Sequence, residues 1–191
     1  MFLKRLFIAV PVSEQSRKQI ISGFSANEQL RKLPMRWTSE QNLHLTLQFL
    51  GNVEEKRIPV LKQILNRISP PPVREELFFT GIGAFPNAVT PKIIWIGIKQ
   101  NDYLLKIQAL ITQDLIRNGF EADRKKYKPH LTLARVKDGF DLPAENYAFL
   151  KELRSAAMIN NSPLDRITLF ESRLQPGGPL YTSVYEKNIF G

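Results

Sequence analysis

The chain carries two histidines, and both open the same tetrapeptide: His44-Leu45-Thr46-Leu47 and His130-Leu131-Thr132-Leu133. A lone histidine on a strand is ordinarily structural. Two in identical frames are a poor product of chance, which moves the reading to chemistry. In an extended strand, residues two apart share a face. Leu45 and Leu47 therefore enter a core while His44 and Thr46 face the other way, and the second copy does the same with His130 and Thr132. Packed about a pseudo-twofold axis, the two imidazole–hydroxyl pairs line one groove from opposite sides.

That set suits in-line displacement at phosphorus, where the attacking and leaving oxygens lie on opposite sides. One side needs a base and the other an acid. An imidazole, with an ordinary pKa of about 6.5, serves as either near neutrality. Threonine hydroxyls can hold the non-bridging oxygens as charge builds on them. Neither task requires a metal, and two histidines without a carboxylate in HxD or HxE spacing make a weak ligand set. The sequence has no GxSxG elbow and no GxxxxGK[ST] or GxGxxG phosphate loop. We expect no metal and no cofactor.

The elements that must position these residues can be read from periodicity. Leu6–Val10 is an apolar run closed by Pro11, a buried strand. Residues 13–33 follow a helical pattern weakened by Gly23. Leu43–Leu50 alternates with period two. Residues 55–68 are helical, with Pro59 tolerable only near the first turn, and 75–83 form a strand. The order then repeats: strand 92–98, helix 102–118 stopped by Gly119, strand 129–136 and helix 145–157. Strands 167–174 and 181–189 close the chain, joined by a hairpin loop at Gln175–Pro179. Phe7 precedes His44 by 37 positions and Trp95 precedes His130 by 35, a spacing that implies internal duplication. We expect an α+β fold in which 1–191 form a single domain of two pseudo-symmetric lobes. Two mainly antiparallel sheets would flank a central cleft, with helices on the outside.

Composition narrows the setting. A hydrophobic fraction of 43% supports a sizeable core, and a net charge of +9 favours an anionic partner. The absence of cysteine excludes disulfides and thiol nucleophiles. No apolar stretch is long enough to span a bilayer. Leu6–Val12 is short for a signal sequence and lacks a following small-residue cleavage site. We expect a cytoplasmic, monomeric protein with no membrane association.

Five segments carry a family resemblance: RLFIAV (5–10), RWTSEQNLHLTLQFLG (36–51), FPNAVTPKIIWIGI (85–98), YKPHLTLARV (127–136) and LFESRLQPGGPLY (169–181). Together they resemble the 2H phosphoesterase superfamily. Within it they look like the RNA 2′,3′-cyclic phosphodiesterases, historically called 2′-5′ RNA ligases. The resemblance implies a bilobal fold with the histidines in a central cleft. It also implies metal-free hydrolysis of a terminal ribose 2′,3′-cyclic phosphate to a 2′-phosphate. By analogy His44 protonates the leaving 3′ oxygen, His130 activates water, and Thr46 and Thr132 hold phosphate oxygens. The two motifs are identical, so the residues themselves do not assign acid and base. Lys92 stands where many relatives have arginine.

The neighbouring residues are weighed one by one. Arg135, five after His130, is a candidate phosphate contact, but strict alternation puts it on the leucine face, so a bend is needed. Arg36 and Trp37 can flank the groove, Trp37 equally well as a structural residue. Tyr127 is a candidate for stacking on a base, with a rim tyrosine as the plainer alternative. Phe49 shares the leucine face and is expected in the core. Lys125, Lys126 and Lys128 form a charge run beside His130. The expected partner is an RNA end carrying a 2′,3′-cyclic phosphate, tRNA fragments among the candidates. The alternatives are reversible 2′-5′ ligation by the same residues, a phosphodiesterase for small cyclic nucleotides or 2′-5′ oligonucleotides, and a non-catalytic RNA-binding module.

Overall fold

A computed structural model describes residues 2–25, 28, 32–123, 126–142 and 161–190. Nine strands and three α-helices lie among them. β1 (Leu3–Pro11), α1 (Glu14–Ser25), β2 (Met35–Trp37) and β3 (His44–Glu54) come first. They are followed by α2 (Ile58–Asn66), β4 (Glu76–Phe85), β5 (Ile93–Ile98) and α3 (Asp102–Arg117). β6 (His130–Val136), β7 (Asn161–Pro163), β8 (Arg166–Gln175) and β9 (Gly178–Asn188) complete the order. The expected strands and helices up to β6 are present, most with boundaries shifted by a few residues; the helix expected over 13–33 is seen as α1, ending at Ser25, and residues 26, 27 and 29–31 lie outside the described residues. The expected helix 145–157 lies outside the described residues, as does Lys125. Strands β2 and β7, three residues each, are too short to leave a periodic signal.

The helices form where the sequence provides a stripe and a stop. Along α3, Leu104, Ile107, Ile111 and Leu115 recur at helical spacing and are buried. Its Asn101 cap accepts a hydrogen bond from the Leu104 amide at 2.7 Å. Gly119, at φ +69°, turns the chain out of the helix in a conformation that suits glycine. Pro59 falls in the first turn of α2, where its missing N–H costs nothing.

The sheet runs β7-β4-β5-β6-β3-β1-β8-β9, with β2 added on β6. Among the described residues every strand pairing is antiparallel. Two lobes are evident: β3-β1-β8-β9 and β6-β5-β4-β7. They meet where β3 touches β6 through one residue pair, Leu45 with Leu131. The two expected sheets are thus continuous through a single bridge, and the histidine strands are the inner edges of the two lobes.

The lobes are not the two halves of the sequence. β4 closes the first half yet pairs with β5, and β8 belongs to the second half yet pairs with β1. The first half sends β4 into the other lobe, and the second half sends β8 with its hairpin partner β9. Hydrophobic periodicity cannot reveal this exchange, because it reports which face of a strand is buried and not which neighbour it bonds.

One core lies beneath the sheet. Leu45, Leu131 and Ile94 from the strands pack with Ile20, Leu61, Leu65, Leu104 and Ile107 from the helices, all below 2% exposed. Helices therefore cover one face of the sheet, and the face bearing the histidines is left for a ligand. Among the described residues no helix is long and apolar enough to cross a membrane.

Candidate active site

The motif strands place their side chains as alternation predicts. Leu45, Leu47, Leu131 and Leu133 are buried, while His44, Thr46, His130 and Thr132 are half-buried on the opposite face. Leu45 and Leu131 face each other in an antiparallel pair. Continuing that register by one step sets His44 across from Thr132 and Thr46 across from His130. The pseudo-twofold axis thus passes between the leucines, and the four polar side chains surround it on the open face.

Both imidazoles are held in the same way. His44 Nδ1 bonds the Asn42 carbonyl at 2.7 Å, and His130 Nδ1 bonds the Lys128 carbonyl at 2.7 Å. A carbonyl can only accept, so Nδ1 carries the proton and Nε2 of each neutral ring keeps its lone pair, aimed away from the backbone.

The second leucine of each motif is a bulge. On β3, Thr46 pairs with Ala9 and Gln48 with Ile8, leaving Leu47 as an extra residue. On β6, Thr132 pairs with Trp95 and Ala134 with Ile94, leaving Leu133 extra. A bulge shifts the phase of everything after it. Arg135 therefore emerges on the histidine face: the required bend is present. Phe49, at the matching position after His44, emerges there too. The residue is 65% exposed, so the expectation of a core Phe49 is corrected. Gln48 is buried in its place.

The two sides of the site differ chemically. His44 sits among aromatic rings. Phe7 is 4.9 Å away and Tyr181 meets it edge-on at 5.3 Å, while Phe170 lies at 6.3 Å. Phe49 extends this wall through Phe7, 6.2 Å between centroids. Asn42, buried, donates to the Pro179 carbonyl at 2.7 Å and thereby ties the β8–β9 hairpin to the histidine strand. His130 has the Phe85 ring edge-on at 5.0 Å and Trp95 at 6.0 Å, and the Lys128 ammonium lies 4.3 Å from the Trp95 centroid. Gly83 makes room for that indole, because a Cβ there would fall 2.1 Å from Trp95 ring atoms.

These surroundings keep both imidazoles neutral at pH 7 in the free protein. Burial pushes His44 down to about 4, against the pull of the Asn42 carbonyl, and the charge of His130 adds a smaller push downward. His130 is also lowered, first by burial and then by the positive charges of Lys128 and Arg135. Arg135 acts electrostatically on Tyr181 as well, so its charge is felt on both sides of the trough.

The remaining sequence candidates are placed as follows. Arg36 lies directly across from Arg135 in the β2–β6 ladder. Trp37 packs on Phe24 at 5.8 Å and is structural. The Tyr127 hydroxyl donates to the Thr46 carbonyl at 2.9 Å, so this half-buried ring fastens the second motif to the first and is not a free stacking surface. Lys92 pairs with Asp141 at 3.1 Å at the rim. The ring neighbours Phe7, Phe170 and Tyr181 were missed by sequence reasoning, because they reach His44 from β1, β8 and β9, whose adjacency leaves no local signal. Two shallow concavities elsewhere, around Arg74–Glu76 and around Ser13–Ser16, contain neither histidine. Among the described residues no group of three or more metal-ligating side chains converges.

Comparison with known proteins agrees with this geometry. The family described as LigT-like phosphoesterase matches residues 10–95 and again 96–181. An RNA 2′,3′-cyclic phosphodiesterase of Thermotoga maritima is 33% identical over 98% of this chain and 96% of its own length. One from Methanocaldococcus jannaschii is 34% identical over 95% and 99%. Among solved structures, Escherichia coli LigT complexed with 3′-AMP superposes with a TM-score of 0.75 at 23% identity, covering 98% of both chains. TT0787 of Thermus thermophilus reaches 0.77 at 24%, again over 98% of both. At those identities the superpositions speak for the fold. With a duplicated family match over most of its length and curated relatives of the same size, the chain belongs to the LigT-like phosphoesterase family.

Proposed function

We propose that this protein hydrolyses the 2′,3′-cyclic phosphate at an RNA end to a 2′-phosphomonoester, with His44 as acid and His130 as base and no metal. The observation that carries the reading is the bridged pair of HLTL strands, which sets two imidazoles on one face with both Nε2 atoms free. The substrate is suggested by relatives named RNA 2′,3′-cyclic phosphodiesterase along nearly the whole chain.

The division of labour follows the family resemblance, and burial, which lowers His44 further than His130, means that the acid must gain its proton from the charge of the substrate. Two permanent cations act on His130 and favour its neutral, proton-accepting form. His44 is depressed chiefly by burial, and its neighbours are aromatic rings whose faces tolerate a cation. A bound phosphate anion offsets that burial cost and lets His44 carry a proton in the complex. Water attacks phosphorus as its proton passes to His130 Nε2. The bond from phosphorus to the 3′ oxygen breaks, and that oxygen takes the proton from His44 Nε2. Thr46 and Thr132 donate hydrogen bonds to the non-bridging oxygens, and Arg135 supplies positive charge as these oxygens become more negative. The exposed ring of Phe49 offers a base a stacking surface. Ligation is the same step reversed, and water favours hydrolysis. We take residues 1–191 as one monomeric, cytoplasmic unit of this kind.

Turnover of a short RNA ending in a 2′,3′-cyclic phosphate, with EDTA present and the product resolved as 2′- or 3′-phosphate, tests the reading. Conversion to the 2′-phosphate supports it. A folded protein that binds this RNA without turning it over would instead be the RNA-binding module.

A further inference from the structure

Arg36 and Arg135 stand directly opposite each other in the β2–β6 ladder. Facing residues in an antiparallel pair share a face, and like charges set this way repel. Their flanking partners Met35 and Val136 are buried, as is Ala134, so both arginines point away from the core. Because of the bulge at Leu133, that outward face is the one carrying the histidines. Two guanidiniums side by side on a ligand face are stable when an anion lies between or beside them, and arginine's planar fork suits phosphate.

Arg36 is lightly held. Its ion pair with Asp138 spans 3.8 Å, and both side chains are exposed, at 71% and 103%. Such a pair contributes little and yields readily to a stronger anion. β2 itself is a three-residue strand that pairs with β6, off the main path of the sheet. It adds a cation to the His130 side of the site. With Leu133 bulged, His130 to Arg135 spans four residues of β5, Gly97 to Ile93, about 13 Å along the strand, and two long side chains can bridge much of that span.

We propose that Arg36 holds the phosphate on the 5′ side of the terminal nucleotide, making the site selective for oligonucleotide ends over mononucleotides. This rests on the hydrolase reading above. Arg135 faces the reacting phosphate, Arg36 faces the next one out, and the RNA chain leaves the trough along the β2–β6 edge. The aromatic wall around Phe49 stays on the opposite side of the terminal nucleotide.

The test compares kcat/KM for cytidine 2′,3′-cyclic phosphate, the same nucleotide with a 5′-phosphate, and the dinucleotide ApC ending in a 2′,3′-cyclic phosphate. A charge-assisted contact of this kind gives the native protein a preference of about 10- to 100-fold for the two longer substrates. In Arg36→Gln that ratio falls toward one, and in Arg36→Lys it falls part of the way. The slope of log(kcat/KM) against log salt for the dinucleotide becomes shallower by about 0.7, the share of one single-strand phosphate. A native protein without the preference overturns the proposal. So does Arg36→Gln if it keeps the ratio, or if it slows all three substrates equally, as a merely structural role would. If the native protein turns over none of the three, the hydrolase reading fails, and this proposal fails with it.

Discussion

The proton inventory of His44 can be predicted from its surroundings. Burial lowers it from 6.5 to about 4, so protonating it in the free protein costs about 3 kcal/mol beyond the ordinary imidazole. A catalytic acid with that pKa is almost empty at pH 7. A bound phosphate changes this. One negative charge at about 4 Å in an effective dielectric near 20 is worth about 4 kcal/mol, enough to offset the burial cost. With only two histidines in the chain, the ring-proton NMR signals are assigned by one substitution each. His44 is expected to titrate near 4 in the free protein and about 2–3 units higher with inorganic phosphate or a nucleoside 2′-phosphate bound. Calorimetry at pH 6 in buffers of different ionisation enthalpy should accordingly detect proton uptake on binding. The same shift enters folding. The unfolded chain binds the proton more readily, so His44 contributes full stability above pH 6.5. Up to about 3 kcal/mol of it is lost as pH falls toward 4. A free His44 that titrates at 6.5 or above, or one that bound phosphate moves by less than about half a unit, refutes the reasoning.

Other perturbations follow from the same geometry. Tyr127→Phe removes the hydrogen bond to the Thr46 carbonyl and should cost about 1 kcal/mol in denaturant unfolding, with a smaller effect on turnover. Gly83→Ala forces the Trp95 indole off its seat beneath Lys128 and beside His130; a lower melting temperature together with reduced kcat is expected, and unchanged values would show that the indole does not position the histidine. Lys128→Gln removes a positive charge that lowers His130, so the His130 titration should move upward. Arg135→Ala should lower kcat about 100-fold or more while leaving the melting temperature within a degree or two, because the side chain is exposed and its proposed task is charge on phosphate.

Much of this arrangement was legible because it is written in local pattern. Alternation through His44–Leu47 and His130–Leu133 put leucines inward and the polar pair outward, and the repeated frame announced two matching lobes. What stayed hidden depends on contacts between distant strands. The extra residue at Leu47 and at Leu133 exists only relative to the partners Ala9–Ile8 and Trp95–Ile94, so counting along one strand put Phe49 in the core and left Arg135 in need of a bend. The exchange of β4 and β8 between lobes has no signature in either strand's own sequence. The part of the wall around His44 that Phe170 and Tyr181 form follows from that exchange, and Phe7 joins it from β1 next door. Asn42 drew no attention in the sequence, because its partner, the Pro179 carbonyl, is 137 residues away.

The central claim is that the two histidines divide the work as acid and base, and the leaving group can interrogate it directly. Turnover would be measured on RNA ending in a 2′,3′-cyclic phosphate and on its analogue with sulfur in place of the 3′ oxygen, for the native protein, His44→Ala and His130→Ala. A thiolate leaves without needing a proton. The account predicts that both variants collapse on the oxygen substrate, by about 100-fold or more, and that sulfur restores His44→Ala selectively. Activity surviving either substitution on the oxygen substrate, or rescue of His130→Ala in place of His44→Ala, would contradict it.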